Sequence, residues 1–178
     1  MKSEKKFTPL VLDSTDLHLL DLLQRDASLS NQALAAEVRT SPATCLRRVK
    51  RMVDARVIER RVALLSPEQF GAGLTAVAEV TLDRQGAEHL AAFEARAVAE
   101  VAVQQCYRVS PGPDFILVLQ VPDMAAYDTL VQRLFTQDAN VRNVKAFFSV
   151  KRAKFEAAIA LPGRVPRMAA AMAVKKPT

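Results

Sequence analysis

The sequence has no tryptophan, two cysteines and five glycines among 178 residues. With aromatic residues at only 6 %, any core has to rest on Leu, Val, Ile, Ala and Phe. Cys45 and Cys106 lie far apart without neighbouring ligands, which argues against a disulfide framework or a zinc site and suits reduced cytosolic thiols. There is no glycine-rich phosphate loop, no nucleophile motif and no carboxylate pair at a telling spacing, so the chain reads as a non-enzyme with no cofactor. Asp114 and Asp123 stand alone, and His18 and His89 read as surface or packing residues. Long hydrophobic runs are missing too. The stretch from Met1 to Leu12 is short in apolar residues and broken by Pro9, so no signal peptide and no membrane span is expected, and the localisation is read as cytoplasmic.

Half of the residues are hydrophobic, enough for a packed core. The net charge is +6, and its distribution says more than its size. Between Arg39 and Arg61 there are eight basic and two acidic residues, and from Lys151 to Thr178 seven basic and one acidic, while the other segments are net acidic. A basic block is ordinarily a solvated face. Its confinement to a predicted helix pair points instead to a polyanionic partner.

Asp13-Ser14-Thr15-Asp16 has the small capping side chains and early acids of a helix start, and Leu17, Leu20 and Leu23 continue it to about Asp26. Ser30 caps a short second helix, Asn31 to Val38, and Arg39-Thr40 makes a tight connection. Ser41 caps a third helix with Pro42 in its first position, running to about Ala55. A period of 3.6 turns Cys45, Leu46, Val49, Met52 and Val53 inward, and Thr44, Arg47, Arg48 and Arg51 outward with Lys50 flanking. Val57 to Leu65 reads as one or two short strands, a wing, before Ser66-Pro67. Gly71 and Gly73 mark a boundary.

Beyond it the pattern predicts a strand over Leu74 to Leu82 and a helix over Asp83 to Val98 with Leu90, Phe93 and Val98 on its apolar side. Strands at Val101 to Val109 and Phe115 to Val121 follow, separated by the turn Pro111-Gly112-Pro113-Asp114. A helix from Met124 to about Phe135, capped by Asp123, leads to a fourth strand, Val141 to Lys151, and a fifth at Phe155 to Leu161. The order βαββαβ defines an α+β, ferredoxin-like plait with both helices on one face of a mostly antiparallel sheet.

A basic third helix after a tight turn fits a DNA major groove. Ala43 and Thr44 are assigned to base edges, Arg47 to a guanine edge, Ser41 to a phosphate, and Arg48, Lys50 and Arg51 to phosphates, each adding salt dependence.

These pieces together resemble the Lrp/AsnC family, the leucine-responsive or feast/famine regulators. The resemblance runs from Leu12 to Leu161 and rests on Leu12-Asp13-Ser14-Thr15-Asp16, Leu23-Gln24-Arg25-Asp26, the segment Ser41-Pro42-Ala43-Thr44-Cys45-Leu46-Arg47-Arg48-Val49-Lys50-Arg51-Met52, Ala63-Leu64-Leu65-Ser66-Pro67, and Val121-Pro122-Asp123-Met124-Ala125-Ala126-Tyr127. It implies a winged helix-turn-helix over 1–62, a linker over 63–73 and a ferredoxin-like oligomerisation and effector domain over 74–161; beyond the resemblance, Pro162, Gly163, Pro166, Pro177 and two basic clusters make 162–178 a basic tail, expected to be mobile. It also implies sequence-specific binding of double-stranded DNA, pairing of subunits through their sheets with dimers able to build octamers, an amino acid or other small effector, and control of amino-acid metabolism or transport. The alternative is a nucleoid-type architectural protein with little sequence preference.

Two departures matter. The family often has glycine in the turn before the recognition helix, and Arg39 stands there. The family's Gly-Asp-aromatic-Asp signature aligns with Pro111-Gly112-Pro113-Asp114, so only the last acid is kept. The resemblance would put Ser110, Gly112 and Asp114 at the effector pocket, and the altered loop predicts either a different effector or none.

Overall fold

The computed structural model describes residues 10–71 and 73–162, so the N-terminal residues 1–9 and the tail from 163 lie outside the described residues. The chain divides into two compact units, one made of the residues up to Ala63 together with those from Phe155, the other of Leu64–Lys154.

The first unit holds α1 (Ser14–Arg25), α2 (Asn31–Glu37) and α3 (Pro42–Asp54). Asp13 and Asp16 form a reciprocal capping box on α1, with Asp16 N donating to Asp13 Oδ1 at 2.8 Å and Asp13 N donating to Asp16 Oδ2 at 3.1 Å. Ser30 Oγ accepts from Ala33 N to start α2. Leu19, Leu23, Leu34, Cys45, Val49 and Met52 close the core. Burying a leucine completely is worth about 1.5–3 kcal/mol, so this small cluster carries much of the unit's stability.

Both α2 and α3 end in Schellman turns. Arg39 N and Thr40 N donate to Ala36 O and Ala35 O, and Arg56 N and Val57 N to Val53 O and Met52 O. The residues that turn the chain are Arg39 at φ 52° and Arg56 at φ 55°, in the left-handed region that glycine occupies most readily. This is the physical reason why a glycine suits the turn before α3.

Several expectations are corrected. No strand forms between Val57 and Leu65, so the wing is not a paired hairpin. Val57 and Ile58 pack under the helices, while residues 59–66 are exposed. Leu46 and Val53 are 59 % and 43 % exposed rather than inward, because the buried stripe of α3 is only as wide as Cys45, Val49 and Met52. The fifth strand is absent as well. Residues 155–161 take no regular secondary structure and belong to the first unit, where Leu161 joins the helical core.

The second unit opens with a short 3-10 turn, Pro67–Phe70, then β1 (Leu74–Leu82), α4 (Ala87–Ala99), β2 (Val103–Arg108), β3 (Phe115–Val121), α5 (Met124–Val131) and β4 (Val141–Phe148). A π-helical turn, Gln132–Thr136, extends α5 and buries Leu134 and Phe135. The four strands lie in the order β2-β3-β1-β4, every neighbouring pair antiparallel. β3 alternates strictly, with Phe115, Leu117, Leu119 and Val121 buried. Opposite them, Ala76 and Ala78 of β1 leave room for large side chains from the helices, and the ring of Phe93 from α4 sits 4.9 Å from that of Phe115.

Helix α4 begins at Ala87, not Asp83, because the Asp83–Arg84 backbone is held by Asn140, whose Oδ1 accepts from Arg84 N at 2.8 Å. Its buried side ends on Ala97, and Val98 is 67 % exposed. Gly73 is required by close approach: a Cβ there would lie 2.0 Å from the Pro122 carbonyl oxygen. The face of the sheet away from the helices is apolar at its centre. Val77 of β1 is flanked by Val118 of β3 and Phe147 of β4, the last 47 % exposed.

Candidate DNA-binding surface and effector loop

The sequence positions α3 in two ways. Ser41 Oγ accepts from Thr44 N at 3.2 Å and donates to Thr44 Oγ1 at 2.9 Å, so the cap and the first turn are locked together. Asn31 Nδ2 donates to Pro42 O at 2.7 Å, tying the start of α2 to the start of α3. The hydroxyl of Ser41, expected at a phosphate, thus serves the helix itself. Ala43 is exposed and Thr44 half-buried at the N-terminal end of α3. Arg47 and Lys50 are exposed, and among the described residues no ion pair holds either of them. Arg39 is exposed in the turn just before.

The arginines read as equivalent in the sequence divide here. Arg48, expected to face outward, instead reaches the start of α1, where its Nη1 lies 2.6 Å from Asp13 Oδ2 and 2.9 Å from Asp16 Oδ1. Its Nε is buried without a hydrogen-bond partner. Arg51 Nη2 lies 2.5 Å from Asp16 Oδ2, while 45 % of its side chain stays exposed, leaving other N–H groups available. Asp16 is fully buried, the only charged residue in the core of the described chain. A buried carboxylate is tolerable only when paired, and removing one partner of such a pair costs about 3–5 kcal/mol. The backbone N–H of Asp16 and then the Arg48 guanidinium hold the Asp13 carboxyl below its usual range. Asp13 and Asp16 were legible as helix-start residues only. Nothing local in the sequence announces partners 32–35 positions away.

In the second unit, Ser110 and Gly112 are exposed in the β2–β3 loop, with Gly112 at φ 120°, a conformation that disfavours any side chain. Asp114 is half-buried, and its Oδ2 accepts from Leu82 N at 2.7 Å. Leu82 sits where the β1–β4 register shifts, so the carboxylate satisfies an N–H that the irregular ladder leaves over. Asp114 therefore has a structural task apart from any ligand. Burial pushes the Cys45 and Cys106 thiols up, the second with help from Glu94, so neither is poised as a thiolate. No helix among the described residues is long and apolar enough to cross a membrane.

A three-helix unit with its basic third helix exposed beyond a tight turn, followed by a βαββαβ sheet domain, defines a regulator class with separate DNA-binding and ligand-binding modules. Residues 12–53 match the AsnC-type helix-turn-helix domain and residues 75–159 the Lrp/AsnC ligand binding domain. The chain belongs to the Lrp/AsnC family of transcription regulators. It is 35 % identical to an uncharacterised HTH-type transcriptional regulator of Haemophilus influenzae, over 84 % of this chain and 89 % of that one. It is 32 % identical to the leucine-responsive regulatory protein of Salmonella typhimurium, over 86 % and 94 %. A Neisseria meningitidis transcriptional regulator solved as a complex with L-methionine superposes with a TM-score of 0.79 at 30 % identity, covering 85 % of this chain and 98 % of that one.

Proposed function

We propose that this regulator binds a defined, roughly palindromic DNA site as a dimer, in the cytoplasm and without enzymatic activity. In this reading α3 enters the major groove. Ala43 and Thr44 contact base edges, Arg47 reads a guanine, and Lys50, Arg51 and the turn residue Arg39 hold phosphates. The observation that carries it is the exposure of Arg47 and Lys50, without ion pairs among the described residues, on a helix whose N-terminus is fixed by Ser41 and Asn31. Exposed cations held to no carboxylate can neutralise phosphates, and a fixed helix can hold a register on base edges.

Subunits pair through the sheet face centred on Val77, Val118 and Phe147, which no element of its own unit covers. Pairs of dimers can assemble further. The effector, an amino acid or another small molecule, binds at the loop bearing Ser110, Gly112 and Asp114. Because the loop keeps only the last acid of the family signature and carries Pro111 and Pro113, this chain takes a different effector from relatives with the full signature, or none. The regulated genes are those of amino-acid metabolism or transport.

Site selection from random duplexes followed by footprinting tests the reading. A short symmetric footprint, with half-sites about 10 base pairs or a multiple apart, is expected. Long uniform protection without an enriched sequence would establish the architectural alternative. Calorimetry with a panel of amino acids tests the effector. Tight leucine binding that depends on Asp114 would contradict the altered preference.

A further inference from the structure

The four charged side chains joining α1 to α3 form a closed set: two carboxylates, Asp13 and Asp16, against two guanidiniums, Arg48 and Arg51. Formal charges within it cancel. The set adjoins the face on which Arg47 and Lys50 stand exposed, since Arg47 and Arg48 are neighbours in the helix. A DNA phosphate would have to compete with a carboxylate that is fully buried and whose compensation includes Arg48. Drawing Arg48 away leaves that buried charge with less compensation, so the competition favours the carboxylates.

We infer that Asp13 and Asp16 act as internal counter-ions that cancel the charge of Arg48 and thereby set the strength and salt dependence of DNA binding. The inference rests on the α3 reading above. Of the basic residues on α3, Lys50 adds fully to phosphate binding, Arg51 adds in part through its exposed nitrogens, Arg47 is spent on a base edge, and Arg48 adds nothing. The consequence is weaker attachment to DNA of any sequence than the count of basic residues suggests. Each subunit gives up about one released counter-ion for the cancelled cation.

The two carboxylates differ in what a substitution does. Asp16 is in the core, whereas Asp13 is 53 % exposed and its main structural duty is a helix cap, which asparagine performs equally well. Asp13→Asn therefore removes one negative charge while leaving the cap. Combining it with Arg48→Gln restores neutrality, leaving Asp16 with Arg51.

The test is binding of the full chain to a random-sequence duplex by fluorescence anisotropy, across a salt series of about 50–200 mM. Asp13→Asn is expected to bind several-fold tighter than the parent protein and to steepen the slope of log K against log salt by about one per bound subunit. Asp13→Asn with Arg48→Gln is expected to return both values to those of the parent. Two results overturn the inference: an Asp13→Asn protein that binds like the parent, or a double variant whose slope falls below the parent's by about one per subunit, which would put Arg48 itself on a phosphate. Thermal unfolding of each variant checks that the helices persist, and if the double variant does not fold, Asp13→Asn alone decides. Lys50→Gln, at the exposed cation assigned to a phosphate, is the separate control. Its slope should fall by about one per subunit, and no change there would sink the α3 reading rather than the counter-ion inference.

Discussion

The side-chain amide of Gln24 on α1 exchanges two hydrogen bonds with the backbone of Ile159, its Nε2 donating to Ile159 O at 3.1 Å and its Oε1 accepting from Ile159 N at 3.0 Å. One glutamine thus treats a residue 135 positions away as a strand would treat its partner, and with Leu161 in the helical core it holds the returning chain to the first unit. Gln24→Ala removes both bonds at an exposed site, a loss of about 1 kcal/mol or less for each. Amide exchange at residues 155–161 should then accelerate while α2 and α3 stay protected. Unchanged protection at Ile159 would mean that other contacts, Leu161 among them, hold the segment.

The left-handed turns make a second prediction. Arg39 and Arg56 stand where glycine is favoured, at a cost of about 1 kcal/mol each. Arg39→Gly should raise the unfolding temperature of the helical unit by relieving that cost, and at the same time weaken DNA binding through the lost cation. A variant less stable than the parent would show that the arginine side chain itself stabilises the turn.

Acid sensitivity follows from the lowered carboxyls. The backbone N–H of Asp16 and the Arg48 guanidinium lower Asp13. Burial pushes Glu100 up, but Arg133 and the N–H groups of Ala102 and Val101 outweigh it and leave it lowered. A carboxyl lowered in the folded state contributes stability that is fully present above its unfolded value, near about pH 4, and lost as pH falls through the folded value. Unfolding temperature should be flat at neutral pH and fall in acid below about pH 4. Asp13→Asn should flatten the acid limb of the first unit, and Glu100→Gln that of the second. Equal acid limbs in parent and variants would rule these two groups out as the cause.

How much of this was legible in the sequence varies with the range of the interaction. Helix starts were readable because capping is local: Asp13, Ser30, Ser41 and Asp123 all cap the helices the sequence predicts. The apolar run of β3 and the turn after β2 were equally local, and together they imply the sheet. Periodicity shows which way a helix faces but not how wide a face its neighbours cover, which is why Leu46 and Val53 were misread. The run from Val57 to Leu65 has strand composition, yet a strand exists only with a partner, and none pairs with it among the described residues. At the candidate site, Arg47 and Lys50 stand on the surface as their spacing suggested. The diversion of Arg48 to Asp13 and Asp16 depends on tertiary contact and had no local signal.

The uncovered sheet face predicts the assembly. Phe147→Asp puts a charge beside Val77 at the centre of the face, where pairing would desolvate it. Sedimentation should show the variant shifted from dimer to monomer with its fold retained. A variant that stays dimeric would move the interface elsewhere.

The central claim is that α3 makes this chain a site-specific regulator. Its most direct test is binding of the pure protein to the fragment upstream of its own gene against a scrambled fragment of equal length, over a salt series. The account predicts strong preference for the native fragment at physiological salt, with both affinities falling as salt rises. Equal binding to the two fragments, vanishing together with salt, would contradict it.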